Sequence, residues 1–295
     1  MRVFVTGASG FIGSAVVPEL IAAGHRVLGL ARSDASARAL RAAGAEVLRG
    51  DLNDPHSLQA GAAEADGVIH LGFIHDFANF PASLATDGRA IETIGGVLGG
   101  SNRPFVIASG VVGLTPGQLA TEEVPFEARA NPRAANAVAA LALAARGVRV
   151  SAVRLAPTVH GPGDHGFVHR LVEIAREKGV SGYIGEGRNR WPAVHRLDAA
   201  LLFRLTLEKA PAGSVVHGVA EEGIATRTIA EAIGRKLGLP ATAIAPEAAD
   251  AHFGWLGRFF ALDQPASNAL TRARLGWTPT HPTLLEDVAA GHYTD

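Results

Sequence analysis

Apolar residues in this chain gather in short runs, and the segments between them carry apolar positions at helical spacing. Val3 to Val5, Arg26 to Leu30, Glu46 to Arg49, Gly67 to Leu71, Phe105 to Ala108 and Val148 to Leu155 are β-rich and, in places, wholly apolar. A strand with no polar alternation is buried on both faces, which is the pattern of parallel strands covered by helices on each side. The intervening helices are predicted at Phe11 to Ala23, with a stop at Gly24, and at Ala35 to Ala43. Asp54-Pro55 reads as an N-cap followed by proline at the first helical position. Pro18 falls inside the first helix, where it removes a hydrogen bond and should bend the axis. The alternation predicts an α/β protein with a doubly wound parallel sheet.

Past Pro157 the pattern changes. A glycine- and histidine-rich loop leads to a helix from Phe167 to Lys178, then an irregular stretch from Gly179 to His195. Helices at Ala199 to Glu208 and Thr226 to Leu237 flank a strand at Val215 to Val219. This divides the chain into residues 1–157, a nucleotide-type domain, and residues 158–295, mainly a smaller substrate lobe with elements returning to the first domain. With no low-complexity linker between them, the two should form one body with a cleft.

The densest chemical signal is the run Thr6-Gly7-Ala8-Ser9-Gly10-Phe11-Ile12-Gly13, directly after the first strand. A strand that enters a three-glycine turn and leaves as a helix presents backbone N–H groups to a pyrophosphate. In this reading Gly7 makes the tight turn, Gly10 lets phosphate approach without a Cβ in the way, and Gly13 lets the helix lie close to the sheet. Ser9, Phe11 and Ile12 complete the loop, and a dinucleotide is the expected ligand. After the second strand, Arg32 and Ser33 offer a cation and a hydroxyl suited to a ribose 2′-phosphate, which points to NADP(H), although Asp34 follows closely.

Composition narrows the partners. The chain has 295 residues, a formal net charge of −1 and no cysteine. Basic residues are scattered among acidic ones, so nucleic acid is not expected, and neither a thiolate nucleophile nor a zinc-thiolate site is possible. The first residues read as a strand rather than a charged-then-apolar leader, and no apolar run reaches membrane-spanning length, so a cytoplasmic protein with a small-molecule substrate is expected.

Taken together, Thr6 to Gly13, Gly50-Asp51-Leu52, Val68 to Leu71, Ile107 to Gly110, Arg154 to Pro157 with Val159-His160-Gly161-Pro162-Gly163, Val194 to Asp198 and Leu275-Gly276-Trp277 resemble the extended short-chain dehydrogenase/reductase family over nearly the whole length. Its members include sugar-nucleotide epimerases, dehydratases and ketone reductases built on a Rossmann-type sheet with a C-terminal substrate lobe. The resemblance implies that Asp51 and Leu52 contact adenine, that Leu71 and Gly72 line the ribose and pyrophosphate, and that Pro157 to Val159 sit beside the nicotinamide amide. It also implies a possible homodimer.

The departure lies at the chemistry. Family members carry a tyrosine followed four residues later by a lysine, the phenol protonating the nascent alkoxide. This chain has two tyrosines, Tyr183 and Tyr293, and only Lys178, Lys209 and Lys236, so no such pair exists. The helix starting at Asn131-Pro132 would place Arg133 at the usual tyrosine, Asn136 near the usual serine and Ala137 at the lysine. Ser109, at the end of an apolar strand, and His160, in the family's aromatic position, are the other catalytic candidates. His75, His165, Phe167 and Trp191 are assigned to the substrate pocket, and no metal site is expected, since His165 and His169 lack a third ligand. The expected function is an NADPH-dependent reductase of a small carbonyl or imine. A non-catalytic NADP(H)-responsive binding protein and an epimerase or dehydratase remain open alternatives.

Overall fold

The computed structural model describes residues 1–76, 79–126 and 133–293. Six strands form in the first half: β1 (Arg2–Thr6), β2 (Arg26–Ala31), β3 (Glu46–Arg49), β4 (Gly67–His70), β5 (Pro104–Gly110) and β6 (Arg149–Leu155). The second half adds β7 (Thr158–His160), β8 (Ser181–Ile184), β9 (Arg190–His195), β10 (Ser214–Gly218), β11 (Glu221–Ala225) and β12 (Ala241–Ile244). The central sheet is parallel, in the order β10-β6-β5-β4-β1-β2-β3. The order reverses between β1 and β4, so the carboxyl ends of these two strands open a crevice.

Alternation along each strand explains why the runs are apolar throughout. Val3 and Val5 feed one core with helices Gly13–Ala22 and Arg196–Lys209, while Phe4 between them feeds the other with helices Pro55–Ala63, Phe80–Leu98 and Ala134–Ala142. Val106 and Val153 join the first core, Phe105, Ile107, Val150 and Ala152 the second. Pro18 stands on the exposed face of its helix.

Several boundaries differ from expectation. The first helix begins at Gly13, because residues 10–12 form the turn that leads into it. The stretch from Gly179 to His195 is not irregular: β8 pairs with β12, and β9 lies between β7 and β11. These strands are short, are separated by Gly185 and Gly187 at positive φ, and take their partners from distant segments, so no local periodicity reveals them. Asn131 and Pro132 lie outside the described residues. β10 returns to the central sheet beside β6, and helix Arg196–Lys209 covers it, while Val168, Leu171, Trp191, Ile229, Phe260 and Val288 build the separate core of the lobe.

The C-terminal segment clasps the lobe through buried polar groups. Asp287, in helix Leu284–Ala290, lies 2.5 Å from His160 Nδ1, 3.2 Å from His292 Nδ1 and 3.7 Å from His195 Nε2. His195 stacks on His281 at 5.1 Å, and His281 in turn pairs with Asp198 at 2.8 Å. Tyr293 Oη donates to Asp164 Oδ2 at 3.0 Å, and Leu284 N to Glu221 Oε2 at 2.8 Å. Burial opposes ionisation of Asp287, but its histidine neighbours outweigh it and hold its carboxyl below the usual range.

Burial lowers His195 to about 4, against the partial opposition of Asp287, and likewise lowers His217 to about 4. Because the folded values lie below the ordinary 6.5, the unfolded chain takes up these protons first, and stability falls as pH drops from 6.5 toward 4. Asp287 adds to that loss in acid, whereas burial raises Asp164 and Glu221, which act in the opposite sense. Urea unfolding of His195→Gln should therefore show a pH 7 to pH 5 difference smaller than wild type by about 1 kcal/mol. An unchanged difference would remove His195 from the account.

Candidate active site

The dinucleotide loop is built on close approaches that admit no side chain. Gly7 has φ +65°, and a Cβ on it would lie 2.7 Å from Gly72 N, at the point where β1 meets the end of β4. A Cβ on Gly13 would lie 2.1 Å from Gly7 O, so this glycine is required by the loop itself rather than by the sheet. Gly10 and Ser9 are exposed, Phe11 and Ile12 half-buried. Helix Gly13–Ala22 has no side-chain cap at Ile12, which leaves its first N–H groups for an anion. The cradle fits a pyrophosphate.

The residues expected at the adenosine end converge on the same crevice. A Cβ on Gly72 would lie 3.0 Å from both a Leu52 methyl and Thr6 Oγ1. Asp51 accepts from Asn53 N at 2.8 Å and Asn53 Nδ2 at 3.0 Å, and its second oxygen stands 3.9 Å from Arg32 Nε. Arg32 is largely exposed, its side chain at 78%. Ser33, by contrast, is the N-cap of helix Asp34–Ala42, accepting from Ser36 N at 3.1 Å, so its hydroxyl already serves the backbone. Asp34 is turned to Arg49 at 2.9 Å. Leu71 and Gly72 follow β4 at the floor of the crevice, with Leu71 half-buried and Leu71 N donating to Thr6 O at 3.2 Å.

At the other end, Ser109 stands near the carboxyl edge of β5, 6% exposed. Arg133 Nη2 reaches Ala108 O at 3.4 Å, and the guanidinium carbon lies 4.1 Å from the centre of the Phe73 ring, a cation–π contact. The exposed His75 packs edge-on to the same ring at 5.2 Å. Burial lowers the Arg133 pKa, with the Asp87 charge opposing that, while partial burial and then the Arg133 charge lower His75. Asn136 Nδ2 donates to Asp87 Oδ2 at 2.7 Å and Leu84 O at 2.9 Å. The structure thus brings Arg133 and His75 together on Phe73, with Ala108 and Ser109 at the adjoining strand end, while Asn136, on the helix that follows Arg133, is turned to Asp87.

Other expected site residues lie elsewhere. His160 is fully enclosed in the C-terminal clasp, with Asp287 on Nδ1. Trp191 is fully buried, packed against Phe167 at 5.5 Å and Phe260 at 5.3 Å. Phe167 also contacts the exposed Trp255 and Phe259. His165 and His169 have ring centres 5.8 Å apart, and His169 turns to Glu173 at 3.4 Å. Among the described residues no group of three or more histidine, aspartate and glutamate side chains is placed to hold a metal ion. Pro157 and the half-buried Val159 flank Thr158, whose hydroxyl donates to Pro192 O.

The sequence reading missed Phe73, His70 and Asp87. Asp87 carries a signal in retrospect: it is an acid on the buried stripe of helix Phe80–Leu98, where only a partnered charge is tolerated. No helix among the described residues is long and apolar enough to cross a membrane.

Residues 3–217 match the model of the NAD dependent epimerase/dehydratase family. An uncharacterized protein of Schizosaccharomyces pombe is 50% identical over 294 residues, covering 99% of this chain and 100% of its own. The 2-alkyl-3-oxoalkanoate reductase of Stenotrophomonas maltophilia is 31% identical over 233 residues, covering 75% of this chain and 69% of its own. Among solved structures, the dTDP-glucose 4,6-dehydratase DesIV of Streptomyces venezuelae, with NAD and TYD bound, superposes with a TM-score of 0.79 at 20% identity, over 99% of this chain and 96% of its own. With the reversed strand order and glycine cradle already in place, the match over residues 3–217 is decisive for kinship: the chain belongs to the NAD dependent epimerase/dehydratase family.

Proposed function

We propose that this protein is a nicotinamide-dinucleotide-dependent reductase of a small carbonyl compound. The observation that carries the reading is the Arg133 guanidinium, held over Phe73 beside Ala108 and Ser109 at the carboxyl edge of the sheet. The loop Thr6 to Gly13 would hold the pyrophosphate, Asp51 and Leu52 the adenine end, and Pro157 to Val159 the nicotinamide end. When bound, the cofactor supplies a hydride.

The chain's own residues do the rest. Ser109 hydrogen-bonds the substrate oxygen, and Arg133 stabilises the negative charge that grows on that oxygen as the carbonyl is reduced. His75, exposed and edge-on to Phe73, would relay the proton to it from solvent. A fixed guanidinium suits a carbonyl, whose oxygen becomes an anion, better than an iminium that arrives already positive. A reductase-named relative at 31% identity supports the same direction. Against a sugar-nucleotide substrate, Arg190 of the lobe is forked onto Asp263 at 2.9 and 2.8 Å, so its guanidinium already has a carboxylate to neutralise.

NADP(H) is the preferred cofactor in this reading, and Arg32 carries the preference, since Ser33 is engaged as a cap. Fluorescence titration should give tighter binding of NADPH than NADH, and Arg32→Ala should lose about tenfold for NADPH with little change for NADH. Tighter NADH binding by the wild type would sink the preference. Gly13→Ala, which drives a Cβ against Gly7 O, should weaken both cofactors by about tenfold or more.

Purified protein with NADPH and a panel of ketones, aldehydes and cyclic imines tests the activity. Oxidation of cofactor with carbonyl members is expected, and Arg133→Ala should lower kcat by about a hundredfold, partly restored by added guanidinium ion. Tight cofactor binding with no turnover across the panel would favour the non-catalytic reading instead.

A further inference from the structure

A buried carboxylate stands near the site. Asp87, on helix Phe80–Leu98, is 4% exposed and has two side-chain neighbours on different elements. His70 Nε2 lies 3.3 Å from its Oδ1 and Asn136 Nδ2 lies 2.7 Å from its Oδ2. The Asp87 carboxylate can only accept, so His70 Nε2 carries a proton, and on a neutral ring Nδ1 then takes the Thr6 hydroxyl hydrogen at 2.7 Å while Thr6 Oγ1 accepts from Gly72 N at 3.1 Å. That pattern assigns the His70 proton to Nε2, where it faces Asp87. Two donors therefore meet the carboxylate from different elements, one donor per oxygen. An asparagine there would turn an NH2 toward one of them, whereas an aspartate accepts both.

Charge makes a second demand. Burial disfavours the Asp87 anion, yet His70, Arg133 and Asn136 together hold its carboxyl below the usual range, and its charge in turn favours the protonated guanidinium of Arg133. A guanidinium in partly apolar surroundings needs a compensating anion within reach. Asp87 supplies one, and its hydrogen bond to Asn136 holds the helix whose N-cap is Arg133.

We propose that Asp87 is the positioning residue of this site: clamped between His70 and Asn136, it fixes the charged Arg133 at the carboxyl edge of β5 and ties it through His70 and Thr6 to the dinucleotide loop. The proposal rests on the role given to Arg133 above. The chain of contacts runs from Thr6, at the start of the glycine cradle, to Asn136, on the helix that Arg133 begins. Cofactor loop and reacting edge are thereby one hydrogen-bonded unit.

Asp87→Asn keeps the volume and removes the charge. It should lower kcat by about tenfold or more while leaving the NADPH dissociation constant within about threefold of wild type, which also reports that the variant is folded. In an Arg133→Ala background the same change should cost less than about twofold, because its effect passes through Arg133. Imidazole 15N resonances of the wild type should show His70 as the Nε2–H tautomer, with no substrate present, and Asp87→Asn should weaken that preference. Multiplicative losses in the double variant, an unchanged kcat in Asp87→Asn, or an Nδ1–H tautomer in the wild type would each overturn the proposal. If the wild type oxidises no NADPH, the reductase reading fails on its own, and the His70 tautomer still decides whether Asp87 holds this network.

Discussion

Where the strand order reverses, Gly7 and Gly72 come so close that a Cβ on Gly7 would lie 2.7 Å from the Gly72 nitrogen. The rest of the site follows from that approach. With no side chain between them, Thr6 Oγ1 can take the Gly72 N–H and still face His70, and Leu52 can close over Gly72 from the next crossover. The loop then turns tightly enough for Gly13 to pass under Gly7 O and start a helix whose N–H groups have no side-chain cap. A parallel sheet creates a crevice at such a reversal by topology alone, but only glycine at these positions lets the backbone reach into it.

The second organising principle is the management of buried charge. Arg133, Asp87, Asp198 and Asp287 sit where an unpartnered charge would cost several kcal/mol, on the order expected for ions removed from water. Each is partnered in a way that links distant segments. Asp198 accepts from Thr280 N and His281 N and anchors the start of the C-terminal tail, while its carbonyl takes the Trp277 indole N–H. Asp287 gathers histidines from β7, from β9 and from the turn after its own helix. These contacts hold β7 in place, and β7 follows Pro157 in the segment assigned to the nicotinamide end.

Legibility varied with the range of the physics involved. The apolar runs at β1, β4 and β6 and the helix at Phe167–Lys178 were readable because each needs only its own residues to declare its period or burial. β8 and β9 were not, because Ser181-Gly182-Tyr183-Ile184 and Arg190-Trp191-Pro192 make no apolar run of their own and gain their identity as strands from pairing with β12, β7 and β11. The same division runs through the site. Gly7, Gly10 and Gly13 advertise themselves by spacing. Sequence position makes Ser33 a phosphate-ligand candidate and His160 a catalytic candidate, whereas in the fold the Ser33 hydroxyl accepts from Ser36 N and Asp287 of the C-terminal helix binds His160.

By itself, then, the sequence determined the sheet class, the crevice with its glycine cradle, and the absence of a Tyr-x-x-x-Lys pair, since these depend on local periodicity and on which residue types exist at all. Only the tertiary structure decided which polar residues share that crevice. It set Arg133 over Phe73, placed Asp87 between His70 and Asn136, and withdrew His160 and Trp191 into the interior. The reason is that hydrogen bonds and charge pairs between residues separated by dozens of positions in the chain are fixed by how helices and strands pack, and no local pattern encodes that packing.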